Sequence, residues 1–156
     1  MSAQILIVDD DATIRLILKA HFTSRGFTCS VASEGAEALE ILKRGRIQVL
    51  VTDLEMPGVD GLALLRAVRT QGLITRCVVI TGYASVSNLT GCLREGAFAL
   101  VPKPLNDLAP LDQAVDQALA LMQRWADQMS AIVRLRHPPV TAETGALEPR
   151  SGDARG

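Results

Sequence analysis

Five short apolar runs rich in branched residues, Gln4 to Val8, Thr28 to Ala32, Ile47 to Thr52, Cys77 to Thr81 and Ala97 to Val101, constrain this chain more than any other feature. Each has the length and composition of a strand, and each is followed by a helical pattern. Ile14, Ile17, Leu18 and Phe22 recur at 3.6-residue spacing, and Gly26 supplies a stop after Arg25. Ala36, Leu39, Ile41 and Leu42 mark a second helix, and Leu62, Leu65 and Val68 a third. Leu89, Cys92 and Leu93 mark a weaker fourth, and a fifth opens near Leu105. Strands apolar on both faces that alternate with helices require a parallel sheet covered on two sides by right-handed crossovers. The expected fold is a three-layer, doubly wound α/β domain with five strands.

The 156 residues suit one domain with a tail, and a hydrophobic content of 48% is ample for a core. Sixteen Lys and Arg residues balance seventeen Asp and Glu, which excludes a bulk electrostatic bias toward nucleic acid or anionic membrane. Three separated cysteines, Cys29, Cys77 and Cys92, fit neither a disulfide framework nor a metal cluster and read as free thiols in a reducing compartment. No segment approaches the roughly 18 apolar residues of a membrane span, so a soluble cytoplasmic protein is expected.

In such sheets ligands bind beyond the carboxyl ends of the strands. Asp9, Asp10 and Asp11 follow the first run, Asp53 the third, Thr81 the fourth and Lys103 the fifth. Singly, each residue has an ordinary structural use: aspartates cap helices and threonine suits strands. Jointly they place carboxylates, a hydroxyl and an ammonium on one edge. Carboxylates from two strand ends suit Mg²⁺, which takes oxygen ligands and shares them with phosphate, while the lysine and hydroxyl suit the remaining phosphate oxygens. Phosphoryl transfer needs mainly positioning and charge neutralisation, and a carboxylate can be the nucleophile. Asp53, at the end of the central strand, is the candidate.

These motifs together resemble the receiver domain of two-component response regulators, over about Gln4 to Leu121. "VDDD" is similar to the family's acidic pair at Asp9 and Asp10, and "VTDLEMPGVDG" to its phosphoacceptor loop with Asp53. "VVITGY" matches its switch threonine at Thr81, and "VPKP" its lysine at Lys103. The resemblance implies strand order 2-1-3-4-5, a cis bond between Lys103 and Pro104, and phosphorylation of Asp53 by a histidine kinase or phosphotransfer protein. It implies Mg²⁺ held by Asp10, Asp53 and the Glu55 backbone carbonyl, with Asp9 in support through water. It also implies that Thr81 and Lys103 contact the phosphoryl oxygens, and that Glu55 and Tyr83 tune dephosphorylation. The chain departs from the pattern at Leu100, where the family often has an aromatic switch residue. Phe98, two residues earlier, shares the face of Leu100 on an ideal strand but lies one pleat away.

The last helical pattern exceeds what a receiver requires. Leu108, Leu111, Val115, Ala118, Met122, Trp125, Met129 and Ile132 alternate spacings of three and four, a heptad stripe. A helix from Asn106 to Arg136 would reach about 45 Å, so its distal half is expected to protrude. Met122, Trp125, Met129 and Ile132 are the expected partner face, toward the same helix of a second copy or toward another protein. The expected division is a receiver over 1–121, a helical extension over 122–137 and a disordered tail over 138–156, in which prolines and glycines replace apolar periodicity. The tail is too short for an output domain and no base-reading segment is evident, so direct nucleic-acid binding is not expected.

Two other classes stay open at this point. A metal-dependent phosphohydrolase also forms an aspartyl-phosphate and expects an acid two residues after the nucleophile; Glu55 has that spacing, but no cap insertion accompanies it. An adaptor that keeps the fold without using phosphate would explain Leu100 but not the retained set of site residues.

Overall fold

The computed structural model describes residues 2–82 and 85–137; Tyr83 and the 138–156 tail lie outside the described residues, so the tuning role of Tyr83 and the tail's expected disorder are not addressed by it. Strands β1 (Gln4–Val8), β2 (Thr28–Ala32), β3 (Val49–Asp53), β4 (Arg76–Thr81) and β5 (Ala99–Pro102) alternate with helices α1 (Ala12–Ser24), α2 (Gly35–Lys43), α3 (Gly61–Thr70), α4 (Val86–Arg94) and α5 (Ala109–Arg136). All strand pairings are parallel, in the order β2-β1-β3-β4-β5. The doubly wound sheet expected from the alternation is therefore present.

Strand alternation divides the core in two. Leu6, Val8, Leu50 and Val79 face Leu42 of α2, Leu64 and Leu65 of α3 and Cys92 of α4. Ile5, Ile7, Val49, Val51, Val78 and Ile80 face Leu18 and Phe22 of α1 and Leu111, Val115 and Ala118 of α5. A β-strand directs successive side chains to opposite faces, so a central strand with helices above and below is buried on both sides. All five residues of β3 are buried.

Boundaries moved at three places for identifiable reasons. β3 begins at Val49 and includes Asp53, which pairs in register with Ile80, so the candidate nucleophile ends the strand from within. β5 begins at Ala99 because the amide of Ala97 still donates to the Cys92 carbonyl as α4 closes. Phe98 accordingly packs with the α1 and α5 cluster while Leu100 packs with the opposite one, so the two do not share a face. α5 begins at Ala109, not at Asn106: the Asp107 carboxylate accepts from the Ala109 amide at 2.9 Å, and Pro110, which has no N–H, tolerates the first turn.

The cysteines are unpaired; Cys77 and Cys92 are buried, Cys29 half-buried, and burial pushes the Cys77 thiol up to about 12. No helix among the described residues is long and apolar enough to cross a membrane. The chain separates into two compact units, Met1–Gln123 and Arg124–Gly156. Met122 belongs to the first and lines a cavity with Leu42, Ile47, Leu73 and Ile74 at the amino edge of the sheet. Trp125, Met129 and Ile132 lie in the second and are 54%, 57% and 54% exposed.

Candidate functional site

The carboxyl ends of β1, β3, β4 and β5 bring Asp9, Asp10, Asp53, Thr81 and Lys103 to one edge, as their positions in the chain lead one to expect. Asp9 follows β1 directly and is 1% exposed; its amide continues the ladder by donating to the Ala32 carbonyl. Its Oδ1 accepts from the Asp11 amide at 2.9 Å, which tightens the turn into α1. Asp11 then caps that helix, accepting from the Thr13 amide at 2.8 Å, where a negative charge meets the positive end of the helix. The three consecutive aspartates thus divide: one buried, one capping, and Asp10 exposed between them.

Asp53 is held by the loop that follows it. The Glu55 amide donates to its Oδ1 at 3.2 Å, while the Glu55 side chain is exposed. Gly61 opens α3 directly over this turn, and a Cβ there would lie 2.5 Å from the Asp53 carbonyl oxygen and 2.9 Å from the Leu54 Cα. Only glycine permits that approach.

Lys103 is fixed by its amide, which donates to the Thr81 carbonyl at 2.8 Å, and it precedes the cis bond to Pro104. Its Nζ reaches Asp53 Oδ2 at 2.9 Å and Asp9 Oδ2 at 3.5 Å. Thr81 ends β4, 5% exposed and in register with Pro102. Leu100, half-buried against the α2, α3 and α4 cluster, sits one strand over in register with Val79.

The electrostatics follow from this crowding. Burial raises the pKa of Asp9, and the neighbouring Asp53 charge adds to the rise; the Asp11 amide and Lys103 oppose it. Burial acts to lower the pKa of Lys103, but the hydrogen bond and charge of Asp53, with the charge of Asp9, outweigh it, and the ammonium is held above its ordinary value. One carboxylate oxygen each from Asp9, Asp10 and Asp53 lies within 4.8 Å of the others. An all-oxygen, multiply anionic donor set on a solvent-facing edge matches a hard divalent cation and fits Mg²⁺ better than a softer metal.

One neighbour of the site was not singled out in the sequence. Arg15 Nη1 donates to the Asp9 carbonyl at 2.7 Å. Its signal was its position, since it stands three residues before Leu18 and seven before Phe22, at the head of the buried stripe of α1.

Comparisons with known proteins agree with this geometry. The family model described as the response regulator receiver domain matches residues 5–116. The DNA-binding transcriptional regulator NtrC of Escherichia coli K12 is 34% identical over 118 residues, which are 76% of this chain and 24% of that protein. The response regulator MprA of Mycobacterium ulcerans is 36% identical over 124 residues, 80% of this chain and 52% of that protein. The chain thus spans between a quarter and about half of the length of these relatives. Among solved structures, a response regulator receiver domain protein from Clostridium thermocellum superposes with a TM-score of 0.74 at 28% identity, covering 79% of this chain and 98% of that one.

Proposed function

From the premise that the chain belongs to the response regulator receiver domain family, we propose that it is a phosphoryl-accepting switch in two-component signalling, with Asp53 as the acceptor. The observation that carries the reading is Asp53 at the end of the central strand, its two carboxylate oxygens engaged by the Lys103 ammonium and the Glu55 amide. A carboxylate oxygen of Asp53 attacks phosphorus, the bond from phosphorus to the donor nitrogen or acyl oxygen breaks, and the donor leaves with that electron pair. Lys103 is placed to pair with the oxygens that gain charge, and Thr81 ends the neighbouring strand where a hydroxyl can donate to the phosphoryl group. Asp9, Asp10, Asp53 and the Glu55 carbonyl are the groups that would hold Mg²⁺, which supplies charge neutralisation between carboxylates and phosphate. Glu55 flanks the approach and tunes dephosphorylation; replacing it with Ala should change the lifetime of the acyl phosphate.

The donor is a histidine kinase or phosphotransfer protein in the cytoplasm, and the receiver corresponds to residues 1–121. Output passes by protein contact, without direct binding of nucleic acid or membrane. Trp125, Met129 and Ile132, exposed on the distal part of α5, favour pairing with a second copy. Arg124, Asp127 and Arg134 fall off that stripe, and Arg136, four residues after Ile132, is the charge that continues it. Light scattering on the full chain against a truncation after Leu121 tests this, and equal monomer masses at high concentration would refute self-pairing.

A small acyl-phosphate donor with Mg²⁺ tests the central reading. The expected product is a stoichiometric protein adduct that is absent in Asp53→Asn and in EDTA. Rapid multiple turnover would instead indicate a phosphohydrolase, and no adduct a phosphate-independent adaptor.

A further inference from the structure

Arg15 occupies a place that helix physics does not favour. It lies in the first turn of α1, where the helix end is already positive, and at the head of a stripe whose next members, Leu18 and Phe22, are 1% and 0% exposed. The structure shows what it does there: half-buried, it sends Nη1 back across the turn to the carbonyl of Asp9, 2.7 Å away. With that bond, Asp9 is held at every polar atom. Its amide goes to the Ala32 carbonyl, Oδ1 to the Asp11 amide, Oδ2 to Lys103 and the carbonyl oxygen to Arg15.

Asp10 presents the opposite case. It is exposed, and among the described residues its carboxylate has no hydrogen-bond partner, yet one of its oxygens lies within 4.8 Å of those of Asp9 and Asp53. Where no partner holds the side chain, its reach is set by the backbone it leaves from and the rotamers that backbone allows, and the backbone of Asp10 is the turn between the Asp9 carbonyl and the Asp11 cap. We propose that Arg15 is a positioning residue for the cation site: by clamping the Asp9 carbonyl it fixes the turn between β1 and α1 and so aims the Asp10 carboxylate at those of Asp9 and Asp53. This rests on the reading that the acidic cluster binds a divalent cation. Groups that orient metal ligands in this way change affinity by roughly 10- to 100-fold when removed.

Mn²⁺ binding to the phosphate-free full chain, read from the loss of the free-ion EPR signal, tests the inference without any phosphorylation. Arg15→Ala should weaken Mn²⁺ binding about tenfold. Arg15→Lys, which keeps a cationic donor, should recover part of the loss, and Arg15→Gln replaces the alanine variant should that not fold. The two sites should also be coupled: in an Asp10→Asn background, Arg15→Ala should have little further effect on Mn²⁺ affinity, because the carboxylate it aims is gone. Unchanged or tighter binding in Arg15→Ala would overturn the inference, and so would an equal loss in the Lys variant or with Asp10 removed. If the wild-type chain binds no Mn²⁺, the reading of the acidic cluster itself fails and the inference with it, whereas binding by wild type with no response to Arg15 refutes only the role of Arg15.

Discussion

Replacing Asp10 with Asn should stabilise the metal-free protein and weaken its response to Mg²⁺. Asp10, Asp9 and Asp53 hold carboxylate oxygens within 4.8 Å of one another. At that separation a pair of unit charges repels by about 0.9 kcal/mol in water and about 3.5 kcal/mol at an effective dielectric of 20. Asp10 is exposed, so its two repulsions belong near the aqueous end, together about 2 kcal/mol. The Lys103 ammonium, bonded to both of the other carboxylates, offsets part of this, so the net gain for the neutral side chain is at most about 1 kcal/mol. For a chain of this size that corresponds to a rise in Tm of at most about 3–4 °C. Thermal melts in EDTA read it directly, and the gain should shrink as salt rises, because exposed charges are screened. With Mg²⁺ at ten times its Kd, binding stabilises the wild type by about 1.4 kcal/mol, and the order of the two melts should reverse. A lower Tm for Asp10→Asn in EDTA, or a gain indifferent to salt, would show that unshielded repulsion is not what makes this edge a cation site.

Gly61→Ala places a methyl group 2.5 Å from the Asp53 carbonyl oxygen, so α3 must move; a loss of about 1–3 kcal/mol in denaturant melts, with slower phosphorylation, is expected. Leu65→Ala removes a fully buried side chain from the α2, α3 and α4 cluster and should cost about 2–5 kcal/mol by the same assay. Glu95, buried at the end of α4, accepts from Arg69 at 2.9 Å and Arg66 at 3.2 Å, and chiefly the Arg69 hydrogen bond lowers its pKa. A carboxylate with a depressed folded-state pKa contributes stability above its unfolded value, about 4.3, and loses it as pH falls through the lower folded value. Glu95→Gln should therefore flatten the acid limb of a Tm-against-pH profile while leaving the limb above neutrality unchanged in shape.

Most of the fold was legible because the sheet is covered on both faces. Val49 to Val51 of β3 and Cys77 to Ile80 of β4 are apolar without interruption, and a doubly covered parallel sheet accommodates that. The site was legible for a related reason, since parallel strands deliver their ends to one edge and the polar residues after each apolar run had to meet there. What the sequence concealed were features set by tertiary contact. Leu100 and Phe98 look like pleat partners, but the late start of β5 turns them to opposite cores. Arg15 reads as a surface charge on a helix, and only the fold returns its guanidinium to the Asp9 carbonyl.

If Asp53 is the acceptor, the phosphoryl group can be trapped on it chemically. An acyl phosphate is reduced by borohydride, so the chain, phosphorylated with Mg²⁺ and a small acyl-phosphate donor, can be treated with tritiated borohydride and digested. Label is expected on the single peptide that contains Asp53, and none in Asp53→Asn or in EDTA. Label on the peptide carrying Asp9 and Asp10, or equal labelling in Asp53→Asn, would contradict it.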